Sequence, residues 1–109
     1  MGLKRGNVIT VAPPGEFGKP RPAVVVQSDL TENPITVTFL PITSDLVRAP
    51  DIRVPIEPNA DNGLRLRSEV MVDLIQTVGK QKVGAVIGSL DDKTMKKIDA
   101  SMLIYLGLV

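Results

Sequence analysis

The sequence contains no cysteine, no histidine and no tryptophan, and its aromatics are one tyrosine and two phenylalanines. Without cysteine there are no disulfides and no thiolate metal sites, and with histidine also missing a conventional zinc site has no ligands. The same gap removes imidazole as an acid, a base or a switch near neutral pH. Long apolar runs are missing too: "AVVV" and the terminal "LIYLGLV" fall far below the roughly 20 residues of a bilayer span, and no signal-peptide pattern opens the sequence. The expectation is a cytoplasmic protein with no membrane association. Neither sign of charge is in excess, since 13 basic and 12 acidic side chains give a net +1, so a polyanion could be held only by a local patch. Two segments could supply one, with Lys4, Arg5, Lys19 and Arg21 in the first and Arg65, Arg67, Lys80 and Lys82 in the second. The alternative is scattered, solvated charge.

What is present is a chain of 109 residues, 43% apolar, enough for one domain over residues 1–109 with a modest core. The stretches "NVITVA" (7–12), "AVVVQ" (23–27), "ITVTFLPI" (35–42), "IRVPIE" (52–57) and "EVMVDLIQTV" (69–78) are β-branched runs separated by Pro, Gly, Asn and Asp. Five or six short strands at this spacing predict a small closed or nearly closed antiparallel barrel. Pro55 marks the fourth run as an edge strand. "KVGAVIGSL" (82–90) reads as a short strand or an irregular turn. From Asp91 onward the pattern changes: Met95, Ile98, Met102, Tyr105 and Leu106 recur at three and four, which predicts an amphipathic C-terminal helix. Asp91 or Asp92 is placed to cap its start and Gly107 to end it. The methionines suit core filling.

A site built without Cys, His or metal has Arg, Lys, Asp, Glu, Ser, Thr and Tyr to work with, an inventory suited to phosphoryl transfer. Arginine's planar fork matches phosphate oxygens and hydroxyls fix the rest. In "GKPRPAVVVQSDL" (18–30), Lys19 and Arg21 each precede a proline, so both are expected to be extended and Arg21 to be stiffly held. Arg21 is either a phosphate clamp or a loop arginine beside a strand. Thr43 and Ser44, leaving the third run in "LPITSD", are either site hydroxyls or turn residues. Asp73 interrupts an otherwise apolar run, and is either surface-facing or half-buried with a partner, the second case being the one that tunes a base.

With these residues in view, "KRGNVITVAPPGEFGKPRPAVVVQSDL" resembles the opening of the MazF/PemK (Kid) family of toxin endoribonucleases. "LPITSD" is similar to the family's Pro-x-Thr-Ser segment, and "NGLRLRSEVMVDLIQTVGKQKVGAVIGSLDD" to its second block, so the resemblance spans nearly the whole chain. It implies an SH3-like barrel with a C-terminal helix, a homodimer, and a cognate MazE/PemI-like antitoxin that lays a disordered segment over the active groove and folds on binding. It further implies metal-independent, sequence-specific cleavage of single-stranded RNA by 2′-hydroxyl attack, giving 2′,3′-cyclic phosphate and 5′-hydroxyl ends, with no cofactor. Arg21, Thr43 and Asp73 fall on the family's catalytic positions, Asp73 as general base. Asn7, Met71 and Leu74 depart from the family pattern, and with Met71 no proton donor is assigned; arginine is in any case a poor acid.

RNA contacts are expected from the loops "PPGEFGKP" (13–20) and "TSDLVRAPD" (43–51). Phe17 is the candidate stacking residue, or a loop-packing or partner-surface residue, with Lys19, Ser44, Arg48 and Arg53 as further RNA-binding candidates. Three rivals remain. A CcdB-like gyrase inhibitor of the same fold would need a C-terminal tryptophan, absent here. An SH3-like interaction module would need an aromatic groove, for which the aromatics are too few. A catalytically attenuated antitoxin-binding homologue stays open through Met71 and Leu74.

Overall fold

The computed structural model describes residues 2–12 and 19–109. The β-branched runs form seven strands: β1 (Asn7–Val11), β2 (Arg21–Val25), β3 (Thr36–Thr43), β4 (Arg53–Ile56), β5 (Ser68–Met71), β6 (Gln76–Gly79) and β7 (Val83–Ser89). All neighbours are antiparallel, in the order β4-β5-β3-β2-β1-β7, with β6 also paired to β3. β4 lies at one end of this path, where the missing N–H of Pro55 is tolerated. Among the described residues β4 and β7 do not pair. The connection 57–67 bridges toward β7 instead, with the Ser89 N–H donating to the Asp61 carbonyl at 2.8 Å. The expected barrel is thus nearly closed, and a loop rather than a ladder bond spans its gap.

Two elements differ from the expectation. The run 69–78 is not one strand: it pairs with β3 twice, and moving from the Ile42↔Val70 pair to the Phe39↔Gln76 pair takes three steps along β3 but six along its partner. Three residues must loop out, and they form a 3-10 turn at Val72–Leu74. Asp73 therefore sits in a turn, not on a strand face. β2 in turn starts at Arg21, paired with Val11, so Arg21 is a strand residue and not a loop residue. The ambiguous 82–90 segment is strand β7, with irregular register against β1.

Apolar side chains are buried on both faces of the sheet. One cluster joins Val8, Val24, Leu40, Ile42 and Val70 to the helix; the other joins Ile9, Val25, Val37 and Phe39 with Val83. The helix, α1 (Asp92–Tyr105), inserts Met95 and Ile98 into the first cluster, each burial worth about 1.5–3 kcal/mol. Met102 packs at its edge, but Tyr105 and Leu106, expected to face the core, are about half exposed. Beyond Met102 the apolar side chains at the end of the helix are only partly covered. Gly107, at φ +71°, ends it, and the Leu108 N–H returns to the Leu103 carbonyl at 2.8 Å in a left-handed cap. No helix among the described residues is long and apolar enough to cross a membrane.

At the other end of α1 the Asp91 carboxylate accepts the Thr94 N–H at 2.8 Å. Hydrogen bonds from the Thr94 side chain and then its backbone, with Lys93 and Lys97 nearby, hold the Asp91 carboxyl below its ordinary value of 3.8. A carboxyl depressed on folding stabilises the native state above its unfolded value, and that contribution is lost as pH falls through the folded value. Asp91→Ala is expected to lower the melting temperature at neutral pH, whereas Asp91→Asn, which still caps, retains most of it. Thermal melts in acid well below 3.8 should show the wild type and Asp91→Asn converging.

Candidate active site

The register of β2 on β3 explains why two distant residues meet. Ala23 is opposite Pro41, and two residues further out on each strand lie Arg21 and Thr43. Side chains alternate along a strand, so a two-residue step keeps the same face. Arg21 and Thr43 accordingly line one concavity of about 200 Å³. Pro20 and Pro22 flank Arg21 and restrict its backbone, as the sequence predicts. Ser44 and Asp45 continue the lining from the turn after β3, while Arg65 and Leu66 enter from the connection before β5. The two basic segments do converge, through Arg21 and Arg65. Arg5 is drawn away to Asp99, and Arg67 pairs with Glu57 at 2.9 Å.

Thr43 is oriented by its own turn. Its Oγ1 accepts the Asp45 N–H at 3.0 Å, which leaves the hydroxyl hydrogen to donate elsewhere. The segment beyond is held by a buried acid that the sequence reading did not single out. Glu69 lies opposite Thr43 in the ladder and is 4% exposed. Its carboxylate accepts the N–H groups of Val47 at 3.0 Å and Arg48 at 3.2 Å, and Arg48 takes a positive φ of 56°. An acid at the head of the apolar run 69–78 was the available signal.

Asp73 does not line the pocket of Arg21 and Thr43. It forms an ion pair with Arg53, both side chains being largely withdrawn from solvent. Arg53 also donates to the Ile52 carbonyl at 3.4 Å, and its Nε is buried with no hydrogen-bond partner among the described residues. Of the expected RNA-contacting residues, Ser44 is in the pocket, and Lys19 is exposed just before β2. Arg48 and Arg53 line a neighbouring concavity of about 300 Å³, where Arg67 joins them. Phe17 lies outside the described residues. No group of three or more acidic side chains placed to hold a metal ion occurs among the described residues.

Among the described residues the arrangement presents two arginines, hydroxyls and one carboxylate around a concavity with room for a phosphate and more. A planar cation and an oriented hydroxyl on adjoining strands can hold two oxygens of one phosphate. Comparison with known proteins bears on this geometry. The model of a family described as a PemK-like, MazF-like toxin of type II toxin–antitoxin systems matches residues 4–106. The chain is 34% identical over 107 residues to a probable endoribonuclease MazF of Mycolicibacterium smegmatis, covering 97% of this chain and 98% of that one. It is 30% identical over 115 residues to endoribonuclease EndoA of Bacillus subtilis, covering 100% and 98%. Among solved structures, an endoribonuclease in complex with its cognate antitoxin from a mycobacterial species superposes with a TM-score of 0.82 at 25% identity, covering 99% of this chain and 98% of that one.

Proposed function

Because the chain belongs to the PemK/MazF-like toxin family of type II toxin–antitoxin systems, we propose that it is a metal-independent endoribonuclease that cuts single-stranded RNA and so stops translation and growth. The observation that carries this reading is the approach of Arg21 and Thr43 across β2 and β3 into one pocket. Both similar proteins of comparable length are described as endoribonucleases, which supports the same reading.

In the proposed reaction the ribose 2′-oxygen attacks the adjacent phosphorus in line and the 5′-oxygen leaves. Arg21 and Thr43 hold the non-bridging oxygens, whose negative charge grows toward the transition state; fixed donors act most strongly on charge that develops there. The ends would be a 2′,3′-cyclic phosphate and a 5′-hydroxyl. Ser44, Lys19 and Arg48 flank the pocket as contacts to neighbouring nucleotides, with Phe17 proposed for stacking. Arg53, already paired with Asp73, has less charge to offer a phosphate. Asp73, the base that the resemblance implies, is paired with Arg53 and does not line this pocket.

We further propose action in the cytoplasm, a homodimer and a MazE/PemI-like antitoxin as partner. The uncovered apolar side chains at the end of α1, among them Ile104 and Leu106, support association. The solved complex of a similar endoribonuclease with its antitoxin supports the second partner.

The function is tested by incubating purified protein with a long single-stranded RNA in EDTA and mapping the cut ends. Cleavage that persists in EDTA and leaves 5′-hydroxyl ends at a short recurring sequence is the expected result. Intact RNA together with inhibited DNA gyrase would favour the gyrase-directed alternative.

A further inference from the structure

Resting on the ribonuclease reading, we propose that Asp45 is the group that removes the proton from the attacking 2′-hydroxyl. Among the described acidic residues it is the one that lines the pocket of Arg21 and Thr43. Its backbone is fixed to the phosphate-binding hydroxyl, because the Asp45 N–H donates to Thr43 Oγ1 at 3.0 Å. The carboxylate therefore starts two residues from the atom that would hold a phosphate oxygen, in a turn whose far side is secured by Glu69.

Two other described acids of this region, Glu69 and Asp73, are committed elsewhere. The Glu69 carboxylate is buried on the Val47 and Arg48 N–H groups, and Asp73 is paired with Arg53. Asp45 is exposed and enters none of the ion pairs among the described residues, so both its oxygens can meet a substrate. The described charged groups that share its pocket are Arg21 from β2 and Arg65 from the β4–β5 connection.

The 2′-hydroxyl proton passes to a carboxylate oxygen of Asp45 as the 2′-oxygen bonds to phosphorus. The 5′-oxygen leaves with the electron pair of the P–O bond and takes a proton from water, and Asp45 returns its proton to solvent. No oxidant, reductant or metal enters. A positioned base of this kind contributes about 10²–10⁴-fold.

The experiment compares single-turnover cleavage by the wild type, Asp45→Asn, Asp45→Glu and Asp73→Asn across pH, with RNA affinity and melting temperature measured for each. Asp45→Asn is expected to lose about 10²–10⁴-fold in rate while still binding RNA, and to lose the acid limb of the pH–rate profile. Asp45→Glu should restore part of the rate with the limb present. Asp73→Asn, whatever it does to the rate through Arg53, should keep the limb. The proposal is overturned if Asp45→Asn cleaves at near the wild-type rate, or if the limb disappears in Asp73→Asn instead. A wild type that cuts no RNA overturns the ribonuclease reading itself, which is a different result from an active Asp45→Asn.

Discussion

Alanine in place of Arg21 is expected to slow RNA cleavage by about 10²–10³-fold, which is roughly 3–4 kcal/mol of transition-state stabilisation, with the far-UV spectrum unchanged. The size follows from the position. Arg21 opens β2 between two prolines, and its register places it across from Thr43, so a stiff backbone sets it at the pocket before substrate arrives. A donor that needs no reorganisation when charge develops contributes more than one recruited from a mobile loop. Lysine should not rescue the loss, since a single ammonium cannot reproduce a planar two-point contact. Thr43→Val should lose less, because it removes one hydrogen bond and leaves the cation. Single-turnover assays at saturating RNA separate these effects from binding, and equal rates for wild type and Arg21→Ala would remove Arg21 from the site.

The second large effect lies where the β4–β5 connection sits on β7. A Cβ on Gly63 would lie 2.2 Å from the Ile87 carbonyl oxygen, and Gly63 has φ +71°. From the opposite side, a Cβ on Gly88 would lie 2.4 Å from the Asp61 carbonyl oxygen and 2.5 Å from the Asn62 carbonyl carbon. Backbone meets backbone here, so no side chain can swing aside. The connection is otherwise self-supporting. Asn62, 1% exposed, donates to the Glu57 carbonyl at 2.9 Å and accepts the N–H groups of Leu64 at 3.0 Å and Asn59 at 3.2 Å.

Alanine at Gly63 combines an unfavourable φ with a backbone clash and is expected to cost about 2–4 kcal/mol, a lowering of Tm by roughly 10 °C or more. Because this connection brings Arg65 and Leu66 to the pocket, RNA affinity should fall as well. Gly107→Ala is the matching control. It has the same φ of +71° with nothing within 4 Å of the added carbon, so only the local strain of about 1 kcal/mol is expected. Denaturant unfolding of the three proteins checks the ordering, and equal losses at Gly63 and Gly107 would show that the seating on β7 does not matter.

These two sites mark how far the sequence could be read. The period-2 runs, the edge character conferred by Pro55 and the Asp91 cap follow from local chemistry and recur in the structure. The break at Val72–Leu74 does not, because it is set by a register offset between two pairings on β3 and leaves no Gly or Pro in the turn. Asp73 was conspicuous in the sequence as an acid among apolar residues, yet its partner Arg53 lies twenty residues away on β4. Glu69 shared the same signal and was passed over. Arg21 and Thr43 stood out by their chemistry and by family resemblance, and the structure brings them to one pocket, whereas Asp45 was not singled out in Thr-Ser-Asp and gains its meaning only from its place there. Arg65 belonged to a basic segment whose direction one dimension could not give.

The central claim is that this pocket turns the ribose 2′-hydroxyl on its own neighbouring phosphate. It is tested most directly with two otherwise identical RNA strands in EDTA, one all-ribose and one carrying a single 2′-deoxy nucleotide on the 5′ side of the cut. The all-ribose strand is predicted to be cut at that position and the substituted strand to stay intact there. Equal cutting of both strands would contradict the account.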